Sequence, residues 1–302
     1  MKKSAFCLLL AVALVLAAIP ASAKDYQSLT VKHELKCGGL VREFWSYIPE
    51  NLPEGAPLVV CISGYRGGRK GPAQKAGFDN FMALADREGF AVCVPKACGS
   101  DQIGYGMNVG YPFQQKDEGM QKVDDVKFLV KMVKYMQKKY ALSSENVFCT
   151  GASNGGEMCY HMAYLKPGFF KAYGSQYGLT MTWLYKSASL QKAVPLIEIH
   201  GTSDRTSQWE GSHKKHGYWG QYISVPLAVN QFALKAKCTF ETCEELSPIN
   251  PESTRRILLH KYLGGDNGVE VWLYEIVGGE HGDFSNEIRI EECIWDFFKK
   301  YL

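Results

Sequence analysis

The sequence predicts an α/β fold: one mostly parallel central sheet with helices on both faces. Three observations carry that expectation. Short continuous apolar runs, Pro57–Ile62, Phe90–Val94, Val194–His200 and Val269–Val277, suit strands buried on both faces, as parallel strands are. Among them lie Phe78–Arg87 and Gln121–Tyr140, with apolar residues at helical spacing, and alternation of the two periods points to a doubly wound sheet. Third, Asn146–Cys149 passes through Gly151-Ala152-Ser153-Asn154-Gly155 into the helix-compatible stretch Glu157–Leu165. A serine therefore stands on a strand-to-helix turn at a strand's C-terminal end, where such sheets place their sites.

The chain opens with two lysines, an apolar run from Ala5 to Ile19, then Pro20 and Ala21-Ser22-Ala23. This predicts a secretory signal peptide over residues 1–23, cleaved after Ala23, and a secreted or periplasmic protein. The run is too short for a retained membrane span. Losing Lys2 and Lys3 lowers the formal net charge from +3 to +1, so neither nucleic acid nor an anionic membrane surface is implied as a partner. Residues 24–302 show no repeat and no Pro/Ser-rich linker, and suffice for a single α/β catalytic domain.

Nine of the ten cysteines remain once Cys7 is removed, so at least one thiol is unpaired or pairs between chains. Cys61, Cys93 and Cys149 fall inside apolar strand patterns and read as small buried hydrophobes. Cys238 and Cys243 are close enough in sequence to bridge each other, or either could reach a third cysteine. They lack a second pair at ligand spacing, so no metal site is expected.

Leu29–Leu35 and Leu40–Ile48 alternate apolar with polar, which predicts an antiparallel hairpin with one wet face. The strand Pro57–Ile62 ends in Ser63-Gly64-Tyr65-Arg66-Gly67-Gly68, a glycine-rich loop whose backbone can approach a substrate closely. Ala97–Gly119 is long, rich in Gly and Tyr and without a clear period. Loops of that length in a compact domain are more often functional than idle, so it is expected to wall a cleft. Gln121–Tyr140 places Val123, Val126, Val130, Val133, Met136 and Tyr140 on one face and lysines on the other, as a helix covering the sheet does.

Gly151-Ala152-Ser153-Asn154-Gly155 has the G-x-S-x-G form of a nucleophile elbow, although a plain Gly/Ser turn would spell the same pentapeptide. If the elbow is real, Ser153 is the nucleophile and the Asn154 N–H, at a helix start, is one oxyanion donor. The loop after Pro57–Ile62 stands where a second donor is needed, and the Tyr65 N–H is the choice there. A nucleophilic serine needs a base and the base an orienting acid. Val194–His200 runs into Gly201-Thr202-Ser203-Asp204, and Val269–Val277 into Gly278-Gly279-Glu280-His281. Each puts a titratable residue just past a buried strand, on the sheet edge that carries Ser153. The order Ser153, Asp204, His281 is that of α/β-hydrolases. His200, His161, His213, His216 and His260 are rivals to His281 whose positions fit structural roles better. Glu280 and Asp283 are too close to His281 in sequence to fold back onto its ring.

Val123-Asp124-Asp125-Val126, Glu145-Asn146-Val147 with Gly151 to Gly156, Ile199-His200-Gly201-Thr202-Ser203-Asp204 followed by Trp209 and Gly211, and Gly278-Gly279-Glu280-His281 occur in that order. Together they resemble the secreted polyhydroxybutyrate depolymerase and feruloyl esterase family, which includes feruloyl and acetyl-xylan esterases. The likeness runs from about Leu40 to the C-terminus. It implies the α/β-hydrolase fold and the same triad of Ser153, Asp204 and His281. The family usually has His-Gly where this chain has Ser63-Gly64, a change that spares the backbone donors and removes the side chain that usually stiffens the loop. Asp124 and Asp125 match the family too and read as structural.

The expected reaction is ester hydrolysis through an acyl-enzyme, with no metal or organic cofactor. The expected substrate is a feruloyl or acetyl ester on plant cell-wall polysaccharide. Polyhydroxyalkanoate depolymerisation and general short-chain esterase activity are alternatives, since the same triad serves them. A carbohydrate-binding protein without catalysis is a further one, against which the complete triad speaks. Trp209, Tyr105 and Trp219, with Tyr111, Tyr218 and Tyr222 nearby in sequence, could form an aromatic platform for an aryl acyl group or a sugar ring, or simply anchor long loops.

Overall fold

The computed structural model describes residues 24–66, 77–216 and 219–302. The expected signal segment 1–23, Gly67 and Gly68 of the glycine-rich loop, and Tyr218 lie outside the described residues. Strands β1 (Val31–Cys37) and β2 (Leu40–Tyr47) form the expected antiparallel hairpin. Its two-residue turn is Gly38-Gly39, at φ 60° and 81°. Positive φ at both central residues gives a turn whose twist matches that of the strands, and glycine adopts it without strain.

Next come β3 (Leu58–Ile62), α1 (Asp79–Glu88) and β4 (Ala91–Pro95). The aperiodic stretch 97–119 is less irregular than its sequence suggests. It holds the small hairpin β5 (Gly99–Ser100) and β6 (Gly104–Tyr105), then the short helices α2 (Pro112–Lys116) and α3 (Glu118–Gln121). Helix α4 (Asp125–Tyr140) starts four residues after the predicted Gln121, because the Asp124 carboxylate accepts from Lys127 N at 2.8 Å and caps it. Then follow β7 (Val147–Ala152), α5 (Asn154–Leu165), β8 (Ala172–Gln176), α6 (Thr182–Ser187), β9 (Leu196–Gly201), β10 (Ser212–His216), β11 (Gly220–Tyr222) and α7 (Val225–Ala236). The last elements are β12 (Phe240–Leu246), β13 (Arg256–Leu263), β14 (Val271–Val277) and α8 (Ile290–Lys299).

The main sheet has ten strands in the order β1-β2-β4-β3-β7-β8-β9-β14-β13-β12. From β4 to β14 every pairing is parallel, and an antiparallel pair extends the sheet at each end. Residues of β3, β4, β7 and β9 are buried on both faces, which accounts for their continuous apolar runs. Phe128, Met132 and Met136 of α4, Met158 and Met162 of α5, and Val229 and Phe232 of α7 pack on one face. Phe81 and Met82 of α1, with Trp295 and Phe298 of α8, pack on the other.

Asp125 is structural, as expected. Its Oδ1 accepts from Arg42 Nη2 at 2.6 Å and its Oδ2 from Asn108 N at 2.6 Å. Both partners of this ion pair are buried, and it ties β2, the 97–119 segment and α4 together. The outermost strand, β12, is exposed along almost its whole length. No described helix is long and apolar enough to cross a membrane.

Among the described residues nine cysteines are free thiols. Cys61, Cys93 and Cys149 are fully buried in their strands. Cys238 and Cys243 do not bridge: the Cys238 Sγ lies 3.5 Å from Tyr262 O, whereas Cys243 is exposed on β12.

Candidate active site

Ser153 joins β7 to α5 at φ 53° and ψ −118°. A β-carbon in this conformation is crowded, and the turn closes because Gly151 and Gly155, two residues to either side, have none. A Cβ on Gly151 would sit 2.5 Å from Gly155 C and O, and one on Gly155 would sit 2.1 Å from Ile62 O. The Ser153 N–H donates to Gln176 O of β8 at 2.8 Å. The serine is thereby held between the C-terminal ends of three parallel strands.

Asp204 and His281 reach it from the loops after β9 and β14. Those strands pair in parallel, and their loops are stitched together: Ser203 N donates to Gly279 O at 2.9 Å, and Gly278 N to Thr202 Oγ1 at 2.9 Å. The approach is close enough that a Cβ on Gly201 would lie 2.3 Å from Gly279 O. His281 Nε2 is 3.1 Å from Ser153 Oγ, and His281 Nδ1 is 2.6 Å from Asp204 Oδ2. The other Asp204 oxygen accepts from Thr206 N and Ser207 N, each at 2.7 Å. A carboxylate so held keeps its acceptor aimed at Nδ1, which leaves Nε2 to take a proton from the serine. The edge of Tyr177 packs on the His281 ring, with centroids 4.8 Å apart.

The rivals lie elsewhere. Asp283 is occupied by Ser285 N and Oγ, and the Ser285 hydroxyl foremost holds its carboxyl below the usual range. His161 is buried on α5, with Nδ1 near Glu157 O at 3.3 Å, and burial pushes its pKa down to about 4. His260 sits between Glu241 and Glu275 at the far edge of the sheet. The His216 side chain lies outside the described residues.

Asn154 is the first residue of α5. Its side chain clamps the 97–119 segment: Oδ1 accepts from Met107 N at 2.6 Å, and Nδ2 donates to Met107 O at 3.1 Å. Tyr65 lies beside Gly64, where a Cβ would be 3.3 Å from Ser153 Cβ. The buried Ser63 hydroxyl has no hydrogen-bond partner among the described residues. The loop is stiffened instead by Tyr65, whose hydroxyl donates to Ile103 O and whose ring packs on Phe113 and Trp219.

Trp209, Tyr105, Trp219, Tyr111 and Tyr222 do not line the cleft at Ser153. Trp209 packs beside the buried His200, with ring centroids 6.1 Å apart. Trp219 joins Tyr65, Tyr111 and Phe113 in a cluster, and Tyr105 faces Asp101. These side chains anchor loops. The cleft, about 470 Å³, opens toward α1 and α8 and is lined by Phe78, Phe81, Tyr177, Phe284, Ile288 and Ile290, with Arg66 and Arg289 beside them. Proximity to Asp204 in sequence misled here, because the lining comes from helix starts about 70 residues before and 135 residues after Ser153.

The profile of the prolyl oligopeptidase family matches residues 76–219. The fold resembles an acetyl xylan esterase from Aspergillus awamori, with a TM-score of 0.59, 15% identity and 89% of this chain and 99% of that one covered. The chain has the α/β-hydrolase fold. An acylaminoacyl peptidase from Pyrococcus horikoshii is similar in fold to this chain at a TM-score of 0.58 and 14% identity, over 90% of this chain and 41% of the other. In sequence, the chain is 24% identical over 263 residues to a bifunctional acetylxylan esterase/xylanase of Neocallimastix patriciarum. It is 26% identical over 268 residues to an acetylxylan esterase of Coprinopsis cinerea. The matches cover 87% and 83% of this chain, and 34% and 68% of those relatives. The ordered motifs and these two relatives thus point the same way, to a likeness with acetylxylan esterases.

One buried acid under the elbow was not singled out in the sequence. Glu157, in the first turn of α5, accepts from the Tyr111 hydroxyl, and burial pushes its pKa up to about 8 against the hydrogen bonds of Tyr111 and Asn154. A carboxyl raised in the folded state keeps a proton that the unfolded chain releases. Its contribution to stability is therefore full below about pH 4.5, the unfolded value, and is lost as pH climbs toward 8. Glu157→Gln should flatten that decline, giving a smaller fall in unfolding free energy between these pH values in urea titrations. A variant with the wild-type decline would remove Glu157 from this role.

Proposed function

We propose that the hydrolase is an exported serine esterase that removes acetyl groups from xylan-type polysaccharide. The observation that carries this reading is the chain of contacts from Ser153 Oγ to His281 Nε2 at 3.1 Å and from His281 Nδ1 to Asp204 at 2.6 Å. The acetylxylan esterases among its relatives supply the substrate class. His281 takes the Ser153 proton as Oγ attacks the ester carbonyl, and the Asn154 and Tyr65 N–H groups receive the oxyanion. The protonated imidazole then gives its proton to the sugar oxygen as the C–O bond breaks, and the sugar leaves as the free hydroxyl, with Ser153 acetylated. Water, activated by the same His281, releases acetate from the acyl-enzyme. None of these steps needs a metal or an organic cofactor. In this reading residues 24–302 act as one catalytic domain, released from a leader that ends at Ala23.

A feruloyl ester is the second reading, favoured by the aromatic rings of Tyr65, Phe78, Phe81, Tyr177 and Phe284 around the cleft. Acetylated xylan, methyl ferulate, polyhydroxybutyrate and a peptide p-nitroanilide, offered to the purified mature chain, separate the possibilities. Acetate release from xylan should exceed turnover of the other three. Faster release of ferulate or of hydroxybutyrate would replace the substrate, and faster p-nitroanilide cleavage would replace the reaction class.

A further inference from the structure

Behind the triad lies a second pair of titratable groups that the reaction above leaves unused. Glu198 and His200 stand two residues apart on β9, hence on one face of the sheet, and both are fully buried. His200 Nδ1 is 2.8 Å from Glu198 Oε1, and the Tyr160 hydroxyl donates to Glu198 Oε2 at 3.0 Å. His200 Nε2 is 2.8 Å from Ser207 O. A carbonyl oxygen can only accept, so Nε2 carries a proton. Ser207 is thus gripped at both ends, since its own N–H donates to Asp204 Oδ1 at 2.7 Å. His200 Nε2 also lies 3.6 Å from Asp204 Oδ2, the oxygen that His281 Nδ1 touches.

We propose that the Glu198–His200 pair is a positioning and charge support for Asp204 that sets how far into acid the enzyme keeps working. The proposal rests on the triad reading given under Proposed function. Burial opposes charge on His200, but Glu198, the Ser207 carbonyl and Asp204 outweigh it and raise its pKa. Burial raises that of Glu198 despite the bonds from His200 and Tyr160. With Nε2 protonated, the 2.8 Å contact between Nδ1 and Glu198 Oε1 holds a second proton, shared between ring and carboxyl. With that proton on Nδ1, the positive end of the pair stands 3.6 Å from Asp204 Oδ2, with the Glu198 carboxylate on its far side. Asp204 in turn orients His281, so the pair reaches the reacting groups through that carboxylate, and the acid limb of activity is where its charge is read.

The other groups around His200 do not supply this charge. Glu275, its register partner on β14, holds His260 at 3.1 Å. Tyr177 packs on His281, and the Tyr222 hydroxyl accepts from Gln208 N at 3.3 Å. Trp209 covers the ring edge, and α7 presents Val229 and Phe232 to this core.

The test is the pH profile of kcat/KM on p-nitrophenyl acetate for wild type, Glu198→Gln, His200→Asn and Ser153→Ala. Glu198→Gln is close in shape, and its amide can donate to Nδ1 and leave the Nε2–H on Ser207. It removes the charge while sparing the loop contact. The pH of half-activity on the acid side should move up by about 0.5 to 1 unit in this variant. His200→Asn should show the same shift together with a fall in kcat of about tenfold or more, KM staying within about twofold. A pair that merely fills the core would lower thermal stability and leave the acid limb in place. Unmoved acid limbs in folded variants, with Ser153→Ala inactive, overturn this proposal alone. If His200→Asn does not fold, Glu198→Gln decides by itself. Persistent turnover by Ser153→Ala overturns the triad reading and this proposal with it.

Discussion

Ser153→Ala will lower kcat/KM on p-nitrophenyl acetate by roughly 10⁴- to 10⁶-fold and abolish labelling by a fluorophosphonate. The size follows from what remains. The oxyanion donors and the cleft survive the change, so some acceleration over water persists, but no group in the variant can form the acyl-enzyme. The backbone at residue 153 is set by glycines on both sides and by the bond to Gln176 O, none of which involves the hydroxyl. The variant should therefore fold and melt close to wild type, which separates lost chemistry from lost structure. Activity within tenfold of wild type would reject Ser153 as the nucleophile.

Gly155→Ala will remove both folding stability and activity through two backbone atoms. Its Cβ would stand 2.1 Å from Ile62 O and 2.7 Å from Ile62 C. Neither atom can rotate away as a side chain would, so α5 and β3 must part. Overpacking of this kind destabilises by about 1–3 kcal/mol when the core can adjust, and the rigid obstacle here places the expected loss at or above the upper end. Ile62 is followed directly by Ser63-Gly64-Tyr65, so the displacement also moves the Tyr65 N–H relative to Ser153. Urea denaturation should show the lost stability, and the protein that remains folded should lose kcat more than KM. A variant with wild-type stability and turnover would contradict the close approach.

How much of this was legible in the chain depends on how locally each feature is encoded. The buried strands β3, β4, β9 and β14 announce themselves as apolar runs, and the turn around Ser153 is spelled by glycines whose need is steric. Asp204 and His281 could be assigned because each lies just past a buried strand, and parallel strands bring such ends to one edge. Strand β8 was not legible. Its sequence, Ala-Tyr-Gly-Ser-Gln, is polar in composition although every residue is buried. Gly174 is there because Ile294 of α8 comes within 3.0 Å of where its Cβ would stand, a contact made across 120 residues. The cleft lining failed for the same reason. Phe78, Phe81, Ile288 and Ile290 meet only after the sheet has formed, whereas Trp209 lies near Asp204 in the chain and turns inward. Glu198 and His200 were visible as residues at a strand end. Their pairing with Ser207 and Asp204 depends on how the following loop curls back over them.

The exposed outer strand β12 has a consequence for how these molecules behave toward one another. An open strand edge offers unpaired N–H and C=O groups to any extended segment that drifts alongside, which is how sheets join between molecules. Along Phe240-Glu241-Thr242-Cys243-Glu244-Glu245-Leu246 such a visitor meets three carboxylates. A second copy laid antiparallel about Cys243 would set Glu241 of each chain opposite Glu245 of the other, and like charges directly opposite destabilise a strand pair. The chain thus carries at its open border a deterrent to growing its sheet into an aggregate. That deterrent is electrostatic, so it weakens with salt.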